Sequence, residues 1–354
     1  MAGNAIRYKG PMRAVLYEQF RELPAVVELP DPTVPPDGVV LRVEATGLCR
    51  SDWHGWQGHD SDITPPHVPG HELAGSIVEV GPLVRGWQVG QRVAVPFICA
   101  CGSCPQCRTG NQQVCPNQLQ PGFNYWGSFA EYVAIPFAEV NLVSLPDQIS
   151  FDTAAALGCR FATSYRAVTA VAGVRPGEWL AVFGCGGIGL SAVMIAAAAG
   201  ARVIAVDRQP AALELAGRHG AEQLLPSDEL VVDRIRELTG GGAEVTIDAI
   251  GAESVVQACL GALRPRGRHI QVGVLPEPVR LDLSAFVFRE LNMLASHGLA
   301  GHEYPRLLEL VGSARLRPDQ LITSTIGLAE VPDALAAMST ASPTGITMIR
   351  PGQS

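Results

Sequence analysis

The chain has 354 residues, 47% of them apolar, and a net charge of −8. That length suits about two domains with a substantial core, and the acidic balance argues against nucleic acid or an anionic membrane as partner. Nine cysteines, five of them between residues 99 and 115, read as metal binding in a reducing, cytoplasmic compartment rather than as a secreted disulfide framework.

The opening residues, MAGNAIRYKGPM, are basic with no apolar run and do not read as a signal peptide. Between residues 12 and 150 the runs MRAVLY, VVLRVEATG, LAGSIVEVG, RVAVPF and FAEYVAI read as strands separated by turns, so this part is mainly β. The texture changes at FDTAAALGCRFATSYRAVTAVA, an alanine-rich stretch that reads as one helix. WLAVFG, ARVIAVD, AEVTIDAIG, RHIQVGV and LNMLASHG follow as buried strands, with IGLSAVMIAAAAG, PAALELAGRHG and SVVQACLGALRP as helices between them. Such alternation predicts a parallel sheet wound with right-handed crossovers. PRLLELVGSARL and VPDALAAMS read as two closing helices. The uncharged stretch from Trp179 to Ala201 is long enough to be taken for a membrane span. Its interior GCGGIG would interrupt a lipid-facing helix, and strand, turn and buried helix explain it better.

Cys101, Cys104, Cys107 and Cys115 are spaced C-x2-C-x2-C-x7-C. Four thiolates so close can hold one tetrahedral zinc, and a closed four-sulfur site is structural. A redox or disulfide role is the alternative.

WLAVFG runs into Gly184, Gly186 and Gly189 in a GxGxxG pattern, with Gly187 and Ile188 inside the turn. The glycines permit a tight turn, a close approach to a pyrophosphate and tight helix–strand packing. The helix N-terminus offers free N–H groups and a positive dipole to the phosphates. Asp207 ends the next strand, 18 residues after Gly189. A carboxylate there accepts from ribose hydroxyls and repels a 2′-phosphate, favouring NAD over NADP. Arg208 follows, and either stacks on adenine or helps hold a 2′-phosphate.

Cys49 lies in GLCRSDWH, His71 and Glu72 in VPGHELAG, and Cys159 in LGCRF. Spacing alone does not bring these segments together. The residue types suit a catalytic zinc, with two thiolates and an imidazole leaving a fourth position open. Zinc acidifies bound water, and would acidify a bound alcohol in the same sense.

Taken together, the early strands, the GHE triplet, the four-cysteine block and the later GxGxxG resemble the zinc-dependent alcohol dehydrogenases of the medium-chain dehydrogenase/reductase family, from about Met12 to Ile349. The resemblance implies a Rossmann doubly wound parallel-sheet domain over 159–295. It also implies a mainly β, GroES-like catalytic domain from 1–158 and 296–354, with a structural zinc lobe near 99–116. The family's catalytic zinc ligands fall on Cys49, His71 and Cys159, and Glu72 follows a glutamate that can swing in as a transient ligand. Two zinc ions per chain are expected. Ser51 is similar to the hydroxyl that receives the substrate proton, and His54 to the outer member of that relay, which suits a group titrating near neutrality. Asp52 resembles the carboxylate that orients the histidine ligand. Arg50 corresponds to a pyrophosphate-contacting position. Trp56 and Phe97 match positions lining the substrate channel, with Tyr125 and Trp126 at its mouth; plain core packing is the alternative for these aromatics.

The expected reaction is the reversible, NAD-linked oxidation of primary or secondary alcohols to aldehydes or ketones. The alternative is a polyol, sugar or amino-alcohol dehydrogenase. Polyol enzymes of the family carry a glutamate–proline pair where this chain has Gly158-Cys159. The chain departs from the family at CRFATSYRAV, where Arg160 and Phe161 leave the pocket size open. A homo-oligomer, dimer or tetramer, is implied, with LNMLASHG as a strand able to pair across a two-fold axis. Cys99 and Cys259 read as buried spare thiols, Cys185 as a variable member of the glycine turn. His59, His67, His219, His269, His297 and His302 have no evident partner.

Overall fold

The computed structural model describes residues 10–341 and 343–353. Most of the basic opening segment therefore lies outside the described residues. The alternating β/α region builds a six-stranded, all-parallel sheet. Its order is Gln223–Pro226, Arg202–Asp207, Trp179–Phe183, Ala243–Asp248, Leu263–Gln271 and Asn292–Ala295. The winding reverses beside Trp179–Phe183, and a doubly wound sheet binds its ligand at such a switch point. Trp179–Phe183 is buried at every position, as a central parallel strand covered on both faces must be. The apparent membrane segment is thus this strand plus the helix Gly187–Ala198. Among the described residues no helix is long and apolar enough to cross a membrane.

A seven-stranded sheet takes residues from both chain ends. Ile322–Ile326 and Ile346–Ile349 join Val39–Leu48, Glu72–Val80, Arg92–Val95, Tyr132–Ile135 and Val143–Ser144. Its register positions the chemistry. Gly47 pairs with Glu72 across the antiparallel ladder, so Cys49 and His71, just beyond those partners, leave the sheet at the same edge.

The stretch read as one helix over 151–172 is broken. The helix Phe151–Ala156 ends in wide turns over Leu157–Phe161, and Gly158 takes φ −44°, ψ −115° inside them. A Cβ on Gly158 would meet Glu72 Cβ at 2.7 Å. The chain there runs against Glu72 and cannot continue a regular helix. A second difference lies at SVVQACLGALRP, where the helix stops at Ala262 and a strand begins at Leu263.

The glycine-turn helix is drawn onto its strand as closely as backbone allows. A Cβ on Gly189 would sit 1.7 Å from the Gly184 carbonyl oxygen, and Gly184 itself has φ +93°. Gly189→Ala is therefore expected to cost about 1–3 kcal/mol of stability through forced backbone displacement. Chemical denaturation measures this, and a variant as stable as the parent would contradict the contact.

Candidate functional site

Cys49 follows the strand Val39–Leu48 and caps the short helix Arg50–Trp56. The buried Asp52 ties this start to the GHE loop. Its Oδ2 accepts from the Cys49 N–H at 2.8 Å, and its Oδ1 accepts from the Gly70 N–H at 3.1 Å and lies 2.9 Å from His71 Nδ1. A carboxylate only accepts, so Nδ1 carries a hydrogen in either protonation state, and the neutral ring that a metal would bind has its lone pair on Nε2. That Nε2 is buried with no hydrogen-bond partner among the described residues. Burial opposes the charged form of His71, but Asp52 and the Cys49 thiolate outweigh it and hold the imidazole pKa well above its ordinary value.

One ligand atom each from Cys49, His71, Glu72 and Cys159 falls within 4.8 Å of the others. The three separated segments thus converge. Two cysteine sulfurs and an imidazole whose buried Nε2 has no partner among the described residues fit a zinc with one open position; an unsatisfied buried nitrogen is otherwise costly.

Glu72 and Arg160 form a buried pair beside these ligands. Glu72 Oε1 accepts from the Arg160 backbone N–H and from Nε, both at 3.0 Å, while Nη2 reaches Oε2. Burial raises the Glu72 pKa and Arg160 pulls it back. Arg160, which departs from the family pattern, is therefore buried against Glu72 beside the Cys49–His71–Cys159 cluster.

Cys101, Cys104, Cys107 and Cys115 converge separately, again with sulfurs within 4.8 Å. The contacts Cys104–Cys107 at 3.4 Å, Cys101–Cys115 at 3.5 Å and Cys104–Cys115 at 3.7 Å match the spacing of about 3.8 Å for tetrahedral sulfurs about 2.3 Å from zinc. The donor set fits a closed zinc site. Cys99 stays apart, its thiol pushed up to about 12 by burial. Cys259 is also buried.

At the glycine turn, Gly186 caps the twelve-residue helix, and a Cβ there would meet open space. That opening beside a helix N-terminus fits a dinucleotide pyrophosphate. Asp207 braces the turn: Oδ2 accepts from the Cys185 N–H at 2.7 Å and Oδ1 from the Gln209 N–H at 2.8 Å. Arg208 is exposed.

Residues 35–147 match the family described as alcohol dehydrogenase GroES-like domain, and residues 187–313 the family described as zinc-binding dehydrogenase. An alcohol dehydrogenase of Geobacillus stearothermophilus is 35% identical over 80% of this chain and 84% of its own. The chain belongs to the zinc-dependent alcohol dehydrogenases of the medium-chain dehydrogenase/reductase family. A probable D-xylulose reductase A of Arthroderma otae is 34% identical over 84% of this chain and 85% of its own. Among solved structures, the alcohol dehydrogenase TADH from Thermus sp. ATN1 superposes with a TM-score of 0.88 at 31% identity, covering 96% of this chain and 99% of that one.

The other expected residues of this dehydrogenase distribute unevenly. Ser51 lies in the first turn of the helix behind Cys49. His54, on the same helix, has Nδ1 3.0 Å from Nδ1 of exposed His59, a contact no spacing in the sequence signals. Arg50 stacks on Trp53, 3.7 Å from the ring centroid, and reaches the Met338 carbonyl; its contacts stay within the mainly β part. Phe97 meets His71 edge-on at 6.1 Å and His297 at 5.4 Å. Phe123, not singled out from sequence, stands nearer, 5.2 Å from the His71 ring. Trp56 is packed in the core with its Nε1–H donated to the Glu22 carbonyl, whereas Trp126 is 38% exposed and donates to the Pro66 carbonyl. Tyr125 meets Cys99. His297 and His302 meet Gln113 and Gln112, next to the four-cysteine lobe.

Asp52→Asn replaces the acceptor facing His71 Nδ1 and is expected to weaken zinc affinity at the His71 site about 10–100-fold. Chelator competition would show this. Zinc retained as tightly as in the parent would remove Asp52 from the metal centre.

Proposed function

We propose that the protein oxidises primary or secondary alcohols reversibly to aldehydes or ketones, with hydride transfer to NAD. The carrying observation is the convergence of Cys49 and Cys159 on the unpartnered Nε2 of His71. A zinc ion held there supplies Lewis acidity that eases removal of the alcohol proton. The protein's own groups do the rest. Asp52 fixes the His71 ring and tautomer. Phe97 and Phe123 stand edge-on to that ring and form an apolar wall. Ser51 accepts the substrate proton and passes it to His54, and the turn at Gly184–Gly189 carries the dinucleotide that receives the hydride. The balanced reaction is alcohol plus NAD⁺ to carbonyl plus NADH and a proton.

Asp207 supports NAD over NADP, since a braced carboxylate at that strand end repels a 2′-phosphate. The D-xylulose reductase relative favours polyol oxidation as a second reading. Gly158 and the apolar wall speak for simple alcohols: the gap beside Glu72 admits no side chain at 158. A sheet edge at Asn292–Ala295 beside the helix Leu283–Arg289, which has no buried residue and leaves Phe288 86% exposed, supports self-association of the chain.

Activity on a panel of primary, secondary, aromatic and polyhydric alcohols, with NAD⁺ and NADP⁺, tests the reading. Turnover of apolar alcohols with NAD⁺ is expected, and clear preference for polyols would transfer the conclusion to the second reading. Partial desolvation lowers the His54 pKa, aided by Arg50 and His59. Neutral His54 is the proton acceptor, so the acid limb of kcat should fall below the ordinary value of about 6.5. His54→Gln should lower kcat about 10²-fold or more and leave a rate that climbs with hydroxide; an unchanged pH profile would take His54 out of the relay.

A further inference from the structure

Arg160 connects the two halves of the site. Its backbone follows Cys159 directly, and its side chain is only 7% exposed. Nε and Nη2 are spent on Glu72, whereas Nη1 has no hydrogen-bond partner among the described residues. The side chain also lies against the first turn of the helix Gly187–Ala198. A Cβ on Gly187 would stand 2.3 Å from Arg160 Cδ and 3.3 Å from both Nε and Nη1. On the opposite flank, a Cβ on Gly47 would stand 2.3 Å from Glu72 Oε2 and 2.9 Å from Arg160 Nη2. Three backbone positions, Gly47, Gly158 and Gly187, are thus bare where this pair passes.

Charge favours such a bridge. With a divalent cation bound, two thiolates and Glu72 would bring three negative charges near His71, and the cation together with Arg160 would balance them. A guanidinium offers five donors in a fixed planar fork, so it can serve two anions at once, which a lysine ammonium does poorly.

We propose that Arg160 is a shared clasp: Nε and Nη2 hold Glu72 away from the metal, and Nη1 takes a pyrophosphate oxygen of the dinucleotide bound at the glycine turn. The clasp is a positioning device, since Arg160 acts on the metal centre through Glu72. It rests on the dinucleotide binding of the proposed function.

The test uses zinc-loaded full-length protein, with NADH binding followed by fluorescence titration and zinc loss followed in a colorimetric chelator. Arg160→Met is expected to raise the NADH Kd about tenfold or more, the worth of a charge-assisted hydrogen bond, while Glu72→Gln stays within about threefold of the parent. Zinc release from the His71 site should change about fivefold in Arg160→Met, and Arg160→Met should add less than about twofold when Glu72→Gln is already present, as coupled neighbours require. An unchanged NADH Kd in Arg160→Met would overturn the proposal, as would a zinc-release effect of equal size with and without Glu72. Should Arg160→Met fail to fold, Arg160→Lys decides, because one ammonium cannot grip both anions: weaker NADH binding supports the clasp and parental binding refutes it. A parent protein that bound neither NADH nor NADPH would instead defeat the underlying dinucleotide reading.

Discussion

The buried Asp52 carboxylate holds the site together. Its two oxygens gather three groups that the chain delivers separately: the Cys49 N–H at a helix start, the Gly70 N–H, and the ring nitrogen of His71. A buried carboxylate needs such donors to offset its desolvation. The same bonds fix where a thiol and an imidazole lone pair point. The antiparallel register Gly47–Glu72 brings the segments near each other; Asp52 turns nearness into ligand geometry.

The second constraint is close approach. Gly47, Gly158 and Gly187 leave no room for side chains because Glu72 and Arg160 occupy that space. Gly158 bends the chain out of its helix, and the next residue, Cys159, joins the other ligands as a consequence. One buried ion pair therefore lies against the strand at Gly47, the break at Gly158 and the glycine-turn helix at Gly187. The four-cysteine lobe is independent of this. It is linked to the His71 site through His297, which touches both Phe97 and Gln113.

Much of this was legible in the sequence for physical reasons. A four-thiol cluster within fifteen residues carries its own geometry, and alternating buried strands and helices carry the winding of the parallel sheet. The short strands Ala25–Pro30, Val143–Ser144, Gln223–Pro226, Ile322–Ile326 and Ile346–Ile349 are absent from the sequence reading. Ile346–Ile349 belongs to the mainly β sheet through contacts some 300 residues distant, which local pattern cannot report. The break at Gly158 was hidden because alanine-rich flanks predict helix, while the cause of the break is a tertiary contact with Glu72. Arg160 stood out as a departure from the family, but its partner could not be read, since nothing local links residue 160 to residue 72. Phe123 and His59 were silent for the same reason: their roles come from neighbours, not from spacing.

Zinc K-edge X-ray absorption on the metal-loaded protein tests the central claim most directly, because it reads the donor atoms themselves. A closed four-sulfur lobe plus an open site on Cys49, His71 and Cys159 predicts an average near three sulfurs and one nitrogen or oxygen per zinc, at about 2.3 Å and about 2.0–2.1 Å. Cys49→Ser should lower that sulfur share. A sulfur-only environment, unmoved by the substitution, would contradict a metal centre at His71.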